Sequence, residues 1–251
     1  MKIKNILISQ PAPSETEKSP YRDLAEKYNL KMDFYKFFKI EGIVGKDFRL
    51  DRVNIADYNA VIFTSRHAVD HYFRISKEVR FDVPDTMKYF CISEAIALYL
   101  QKYVQYRKRK IFHGKQTFPE LMDIILKHKE DKFLLPCSDI HNQDIFDLLK
   151  KEEVRYAKAV IYKTVDVDLK TEIDINKYDM LVLFSPSGVK SLFNNYPDFQ
   201  QGEKIIAGFG STTALAIKES GLTISINAPT KSCPSMAMAI EEFLKKLAKK
   251  K

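Results

Sequence analysis

Short apolar runs alternate with amphipathic stretches along nearly the whole chain. Ile6-Leu7-Ile8-Ser9, Ala60–Phe63, Lys88–Ile92, Lys132–Leu135, Met180–Phe184, Lys204–Gly208 and Thr223–Ile226 are four or five residues long and predict buried strands. Helical spacing predicts helices over Pro20–Tyr28, His67–Ile75, Glu94–Tyr103, Thr117–Lys127, Gln143–Glu152, Ser187–Phe193, Thr212–Glu219 and Pro234–Leu247. Two longer extended runs, Met32–Ile40 and Arg155–Thr164, stand apart from this rhythm. Alternating short strands and helices make an α/β protein with parallel sheets flanked by helices.

The pattern repeats. Sliding residues 55–73 forward by 120 aligns Ile55 with Ile175, Tyr58 with Tyr178, Ser65 with Ser185, Val69 with Val189 and Phe73 with Phe193, without a gap. A second pair, 90–100 and 207–217, aligns at an offset of 117, each reading as strand, small polar turn and helix. The chain therefore holds two copies of one α/β unit. The first strand and helix precede copy one, which the extended runs Met32–Ile40 and Arg155–Val167 flank. This predicts a chain that leaves one domain, builds a second and returns, the flanking runs pairing as a linker.

Length and composition fit this plan: 251 residues, 45% hydrophobic, suit one large or two small domains. No apolar run approaches the roughly 20 residues of a membrane span, and the start is too short in apolar residues for a signal peptide, so a cytoplasmic protein is expected. The three cysteines, Cys91, Cys137 and Cys233, lack metal-site spacing and read as reduced thiols. The net charge of +8 admits three readings: a lysine-rich surface, nucleic-acid binding, or attraction of a small polyanion. The positive charge is scattered and no base-reading motif accompanies it, which argues against nucleic acid. The densest clusters are 106–110 and the tail 245–251, the latter a helix end.

Candidate chemistry lies in the turns that follow the strands. Ser185 and Ser187 can cap the helix after Met180–Phe184, and Gly188 lets backbone approach a ligand. Thr64 and Ser65 supply the same in copy one, and Gly210, Ser211, Thr212 and Thr213 form a third turn. A helix N-terminus suits carboxylate or phosphate, and in a parallel sheet such turns share the carboxyl edge. The spacing at 208–213 fails the dinucleotide fingerprint, because Thr213 stands at the third glycine. Acid–base candidates are few. His67 and His71 lie one helical turn apart but lack a third metal ligand, and read as surface histidines; His113 and His128 are isolated. Cys137 has no partner arguable from spacing, and Asp139 and Asp144 are expected to cap the next helix. Tyr162 sits at the return to the first domain, either a cleft hydrogen-bonding group or an interior tyrosine.

The ordered set 61–73, Val160–Thr164, 179–193, 205–222 and 228–244 resembles the uroporphyrinogen-III synthases, across essentially the whole chain. The resemblance implies two similar parallel-sheet α/β domains, flavodoxin-like or Rossmann-like, joined by a two-stranded β linker. Domain 1 would be discontinuous (1–38 and 168–251), domain 2 would span 44–158, and 39–43 with 159–167 would form the linker. It further implies a cleft active site and a monomeric enzyme without cofactor or metal, with no nucleic-acid or membrane partner. The implied reaction is dehydrating cyclisation of hydroxymethylbilane, an octacarboxylate, with inversion of ring D through a spiro intermediate. Tyr162 matches the family's cleft tyrosine, with the departing hydroxyl as its target. Thr64, Ser65, Ser185, Ser187, Gly188, Gly210, Ser211, Thr212 and Thr213 match its substrate-binding turns. Ser9-Gln10-Pro11 departs from the family's Thr-Arg-Pro, and Glu94 and Ile96 depart from its first-copy turn; Lys163 could compensate in charge. A non-catalytic clamp for an anionic small molecule or a partner protein is the alternative.

Overall fold

The computed structural model describes residues 3–14 and 18–249. The elements, in chain order, are β1 (Asn5–Ile8), α1 (Pro20–Tyr28), β2 (Lys31–Phe34), β3 (Phe38–Gly42), α2 (Gly45–Phe48), β4 (Ala60–Phe63), α3 (Arg66–Glu78), β5 (Lys88–Cys91), α4 (Glu94–Tyr99), β6 (Ile111–His113), α5 (Phe118–Ile125), β7 (Phe133–Ser138), α6 (Gln143–Lys151), β8 (Tyr156–Asp166), β9 (Met180–Leu183), α7 (Pro186–Asn195), β10 (Ile205–Phe209), α8 (Ser211–Glu219), β11 (Ile224–Ala228) and α9 (Met236–Lys249). They form two compact units, 1–39 with 165–251, and 40–164.

The discontinuous unit carries a parallel sheet in the order β11-β10-β9-β1-β2. Its central strand shows how the sequence builds two faces. Successive side chains of a strand point to opposite sides. Met180 and Val182 accordingly join one apolar cluster with Leu24, Met236 and Ile240 from α1 and α9, whereas Leu181 and Leu183 join another with Val189, Leu192 and Ile217 from α7 and α8. A strand buried on both faces must be apolar throughout, which is why Met180–Leu183 reads as an unbroken run.

The continuous unit has the order β3-β8-β7-β4-β5-β6, parallel from β8 to β6. Ala60 and Ile62 face α5 and α6, with Leu121 and Leu149. Val61 and Phe63 face α3 and α4, with Val69, Tyr72 and Ala97.

Read strand for strand, the two sheets match: β4, β5 and β6 occupy the places of β9, β10 and β11, and β7 and β8 those of β1 and β2. One unit is thus a circular permutation of the other, with chain order 2-1-3-4-5 against 5-4-1-2-3. The repeated segments match in detail. Asn54 and Asp174 each cap a one-turn 3-10 helix, at Ile55–Asp57 and Ile175–Lys177, and each accepts from the N–H two residues on. Ser65 (φ −155°, ψ 160°) and Ser185 (φ −156°, ψ 156°) each cap a helix by accepting from the N–H three residues on.

Two expectations change. The run Met32–Ile40 is not one extended segment: it breaks at Tyr35–Phe37 into β2 and β3, which join different sheets, because Phe37 turns into the core at 1% exposure. The helix expected over Glu94–Tyr103 ends at Tyr99 and tightens into a 3-10 turn, Leu100–Lys102. The strand β6, only three residues long beside a basic run, and the short helix α2 were not foreseen. Of the basic tail, Lys250 and Lys251 lie outside the described residues; Lys245 and Lys246 pair with Glu241 and Glu242 one turn earlier.

Candidate active site

Open parallel sheets take ligands beyond the carboxyl ends of their strands, where chain order reverses. In the continuous unit that point lies between β4 and β7. Thr64 and Ser65 follow β4, while Ser138 ends β7 and Asp139 follows it. The Oγ of Ser65 accepts the Ala68 N–H at 3.0 Å and lies 3.2 Å from the Tyr162 hydroxyl.

Tyr162 reaches Ser65 because of an irregularity in β8. Pairing runs Cys137 with Val160, then Ser138 with Tyr162, so Ile161 is an extra residue opposite β7. Strict alternation would put Ile161 and Tyr162 on opposite faces. The bulge puts both in the cluster against α3, and bulges commonly re-aim side chains beside sites. Tyr162 is 7% exposed. Burial raises its phenol above the ordinary value; the Ser65 hydrogen bond opposes this, and the neighbouring Cys137 and Asp139 add to it. The group is a neutral hydrogen-bond donor at physiological pH.

Asp139 does not cap α6 as expected; Asn142 does, accepting the Asp144 N–H at 2.9 Å, with Asp144 in the first turn. Asp139 instead accepts from the Ser138 hydroxyl at 2.7 Å and the Thr164 N–H at 3.0 Å. Burial alone would raise its carboxyl, but these hydrogen bonds outweigh it and hold the group below the usual range. His141 packs nearby, its Nδ1 3.0 Å from the Ser138 carbonyl.

The two histidines of α3 separate. His67 is exposed, its ring centroid 6.3 Å from that of Tyr162. His71 is half-buried, not a surface histidine, and stacks on Tyr162 at 5.1 Å and 21°. Its Nδ1 accepts from Arg74 Nε at 3.1 Å. Cys137 is 6% exposed, and burial pushes its thiol up to about 11, which removes it as a nucleophile.

In the discontinuous unit, order reverses between β1 and β9. Ser9 Oγ there accepts the Phe184 N–H at 3.3 Å, and Ser185 Oγ accepts the Gly188 N–H at 3.1 Å. The Gly188 N–H is therefore committed to the cap, and a Cβ there would meet nothing closer than 3.5 Å. Ser187 is half-buried on the first turn of α7. On the neighbouring strand, Gly210 holds φ +91°, a conformation open to glycine, and begins α8. Ser211 and Thr212 are exposed on that first turn; Thr213 is buried at 1% exposure, so its side chain faces the core. Each helix end presents N–H groups that no intrahelical carbonyl reaches. A hollow of about 340 Å³, lined by Phe73, Met87, Tyr89 and Arg107, lies at the opposite, amino-terminal edge of β5 and β6.

The model of the family described as uroporphyrinogen-III synthase HemD matches residues 43–237. The chain belongs to the uroporphyrinogen-III synthase family. Its activity is that family's, a cyclising lyase acting on a small-molecule substrate. No curated protein matches the chain in sequence. Among solved structures, a mutant uroporphyrinogen III synthase from the extremely thermophilic bacterium Thermus thermophilus is similar at a TM-score of 0.58 and 14% identity, covering 98% of this chain and 99% of that one. The uroporphyrinogen-III synthetase of Helicobacter pylori is similar at 0.58 and 18% identity, covering 97% and 100%. At these identities the likeness shows the family's two-domain α/β fold. Among the described residues, no helix is long and apolar enough to cross a membrane.

Proposed function

We propose that the chain closes hydroxymethylbilane to uroporphyrinogen III, with Tyr162 as the catalytic group and the carboxyl-edge turns as carboxylate receptors. The observation that carries the assignment of Tyr162 is its bulged position on β8, which brings a neutral phenol to the switch point of its sheet beside Ser65. The phenol donates its proton to the departing hydroxyl as the C–O bond breaks, so that group leaves as water; the proton released when the inverted ring forms its new C–C bond restores the phenol. Ser65, Ser185 and the first turns of α3, α7 and α8 offer amides and hydroxyls to the substrate's carboxylates, with Thr64, Ser187, Ser211 and Thr212 adding hydroxyls and Thr213 its backbone alone; Gly188 and Gly210, whose N–H groups bond the Ser185 hydroxyl and the Ala228 carbonyl, contribute close backbone approach. Catalysis is then chiefly positioning, holding a flexible chain so that inverted closure outruns the spontaneous one. The enzyme works as a cytoplasmic monomer in this reading.

The test is the isomer formed. Hydroxymethylbilane generated in situ should give mainly the III isomer with the protein present. Accumulation of only the uncatalysed I isomer would leave the alternative of a non-catalytic clamp. Because the substrate is a polyanion and the chain carries +8, kcat/KM should also fall by about tenfold from low to high ionic strength. A flat salt dependence would remove electrostatic capture from the mechanism.

A further inference from the structure

Tyr162 is held by more than Ser65. Arg74 lies at the centre of a set of contacts within the continuous unit. Its Nη2 donates to the Ile43 carbonyl at 2.7 Å and to the Ile161 carbonyl at 3.0 Å, the residue just before Tyr162. Its Nη1 pairs with Glu78, and its Nε donates to His71 Nδ1 at 3.1 Å. Gly42 leaves room for the guanidinium, since a Cβ there would come within 2.6 Å of Arg74 Cζ. An imidazole nitrogen that accepts a hydrogen bond carries no proton, so His71 is neutral with its hydrogen on Nε2. Its ring face lies against the Tyr162 phenol at 5.1 Å.

We infer that Arg74 and His71 are positioning residues for Tyr162: Arg74 locks the bulged strand and fixes the imidazole, and the imidazole face aims the phenol at Ser65 and the substrate. The inference rests on the reading of Tyr162 as the catalytic group. Protonation of His71 would set an Nδ1–H against the Arg74 N–H and break that bond. Burial lowers the pKa of His71, and the charges of Arg74 and His67 lower it further, while Asp70 and Glu78 oppose them. Asp70 is occupied by Tyr99, Tyr103 and Lys102. The bond to Arg74 is therefore present above the ordinary imidazole range and is lost as pH falls through the lowered value.

Turnover of hydroxymethylbilane by wild type, H71A, H71F, R74Q and Y162F, with kcat and KM separated from about pH 5 to about pH 8, tests this. H71A should lose about tenfold in kcat with KM within about twofold, as expected for a misaimed group. H71F, which keeps a flat ring, should recover most of that loss and flatten the acid limb; it also serves if H71A fails to fold. R74Q should move the acid limb to higher pH. Nitrogen NMR of labelled histidine should show His71 in the Nε2–H form at neutral pH and a change of form in R74Q. Wild-type kcat in H71A, an acid limb unmoved in H71F and R74Q, or an Nδ1–H tautomer would each overturn the inference. Should Y162F retain full turnover, the reading of Tyr162 falls with it. If Y162F is slow and H71A is not, only the positioning role is lost.

Discussion

Replacing Tyr162 by phenylalanine should lower kcat about a hundredfold, the low end of what one positioned proton donor contributes, while KM changes little. The substitution deletes a single hydroxyl that lies 3.2 Å from Ser65 Oγ. Ser65 keeps its bond to the Ala68 N–H, so no buried acceptor is orphaned and the loss of stability should stay near about 1 kcal/mol. The ring remains stacked on His71. Rate and stability therefore part company, and stopped assays of isomer III beside a denaturant melt would show it. An unchanged rate would exclude Tyr162 from the chemistry. The pH dependence has a definite sign. Burial raises the phenol above its ordinary 10, so the proton needed for donation is fully present at neutrality. Rate and the stability linked to this group should decline only as pH climbs through that raised value. An activity loss between neutrality and pH 10 would belong to another group.

Gly210→Ala should destabilise the protein by about 1–3 kcal/mol, the usual cost of forcing a side-chain-bearing residue into such backbone. Gly210 sits at φ +91° and ψ 149°, with Thr213 Oγ1 the sole neighbour near its missing Cβ at 4.0 Å. Crowding is not the obstacle; the backbone is. To relieve it, the turn must rotate and carry the exposed amides of Ser211 and Thr212 with it. KM should rise more than kcat falls, since in the proposed function those amides receive substrate rather than react with it. A thermal melt and substrate titration suffice, and an alanine variant as stable as wild type would refute the strain argument. Copy one holds Ser93 at the aligned position in ordinary extended backbone, at φ −145°, so the two turns differ despite the repeat.

Much of this architecture is legible from residues alone, for reasons that can be named. Ser65 and Ser185 fall at matching places because both finish a buried strand and cap a helix, and cap chemistry is local. The strands β4 and β9 are apolar throughout because they are covered on both faces. What depends on distant pairing is not legible. The permutation of the sheets is invisible because Ile6–Ile8 shares no pattern with Phe133–Ser138, although they hold matching places. Alternation along β8 would set Tyr162 across from Ile161, and only the pairing with Ser138 reveals the bulge. His71 reads as a surface residue since nothing local shows that β8 ends against α3. Asp139 reads as a helix cap because a carboxylate before a helix usually is one, whereas its partner Thr164 is 25 positions away.

The permuted order also bears on how the protein is made. β1 pairs with β9, about 174 positions later, while the whole continuous unit is translated between them. At roughly 5–20 residues per second, Ile6-Leu7-Ile8 waits about 10–35 s beside the ribosome before its neighbour exists. The continuous unit can fold during that interval; the sticky segment cannot. Nascent chains stalled before Met180 should therefore expose a β1 that chaperones recognise, and release past β11 should hide it.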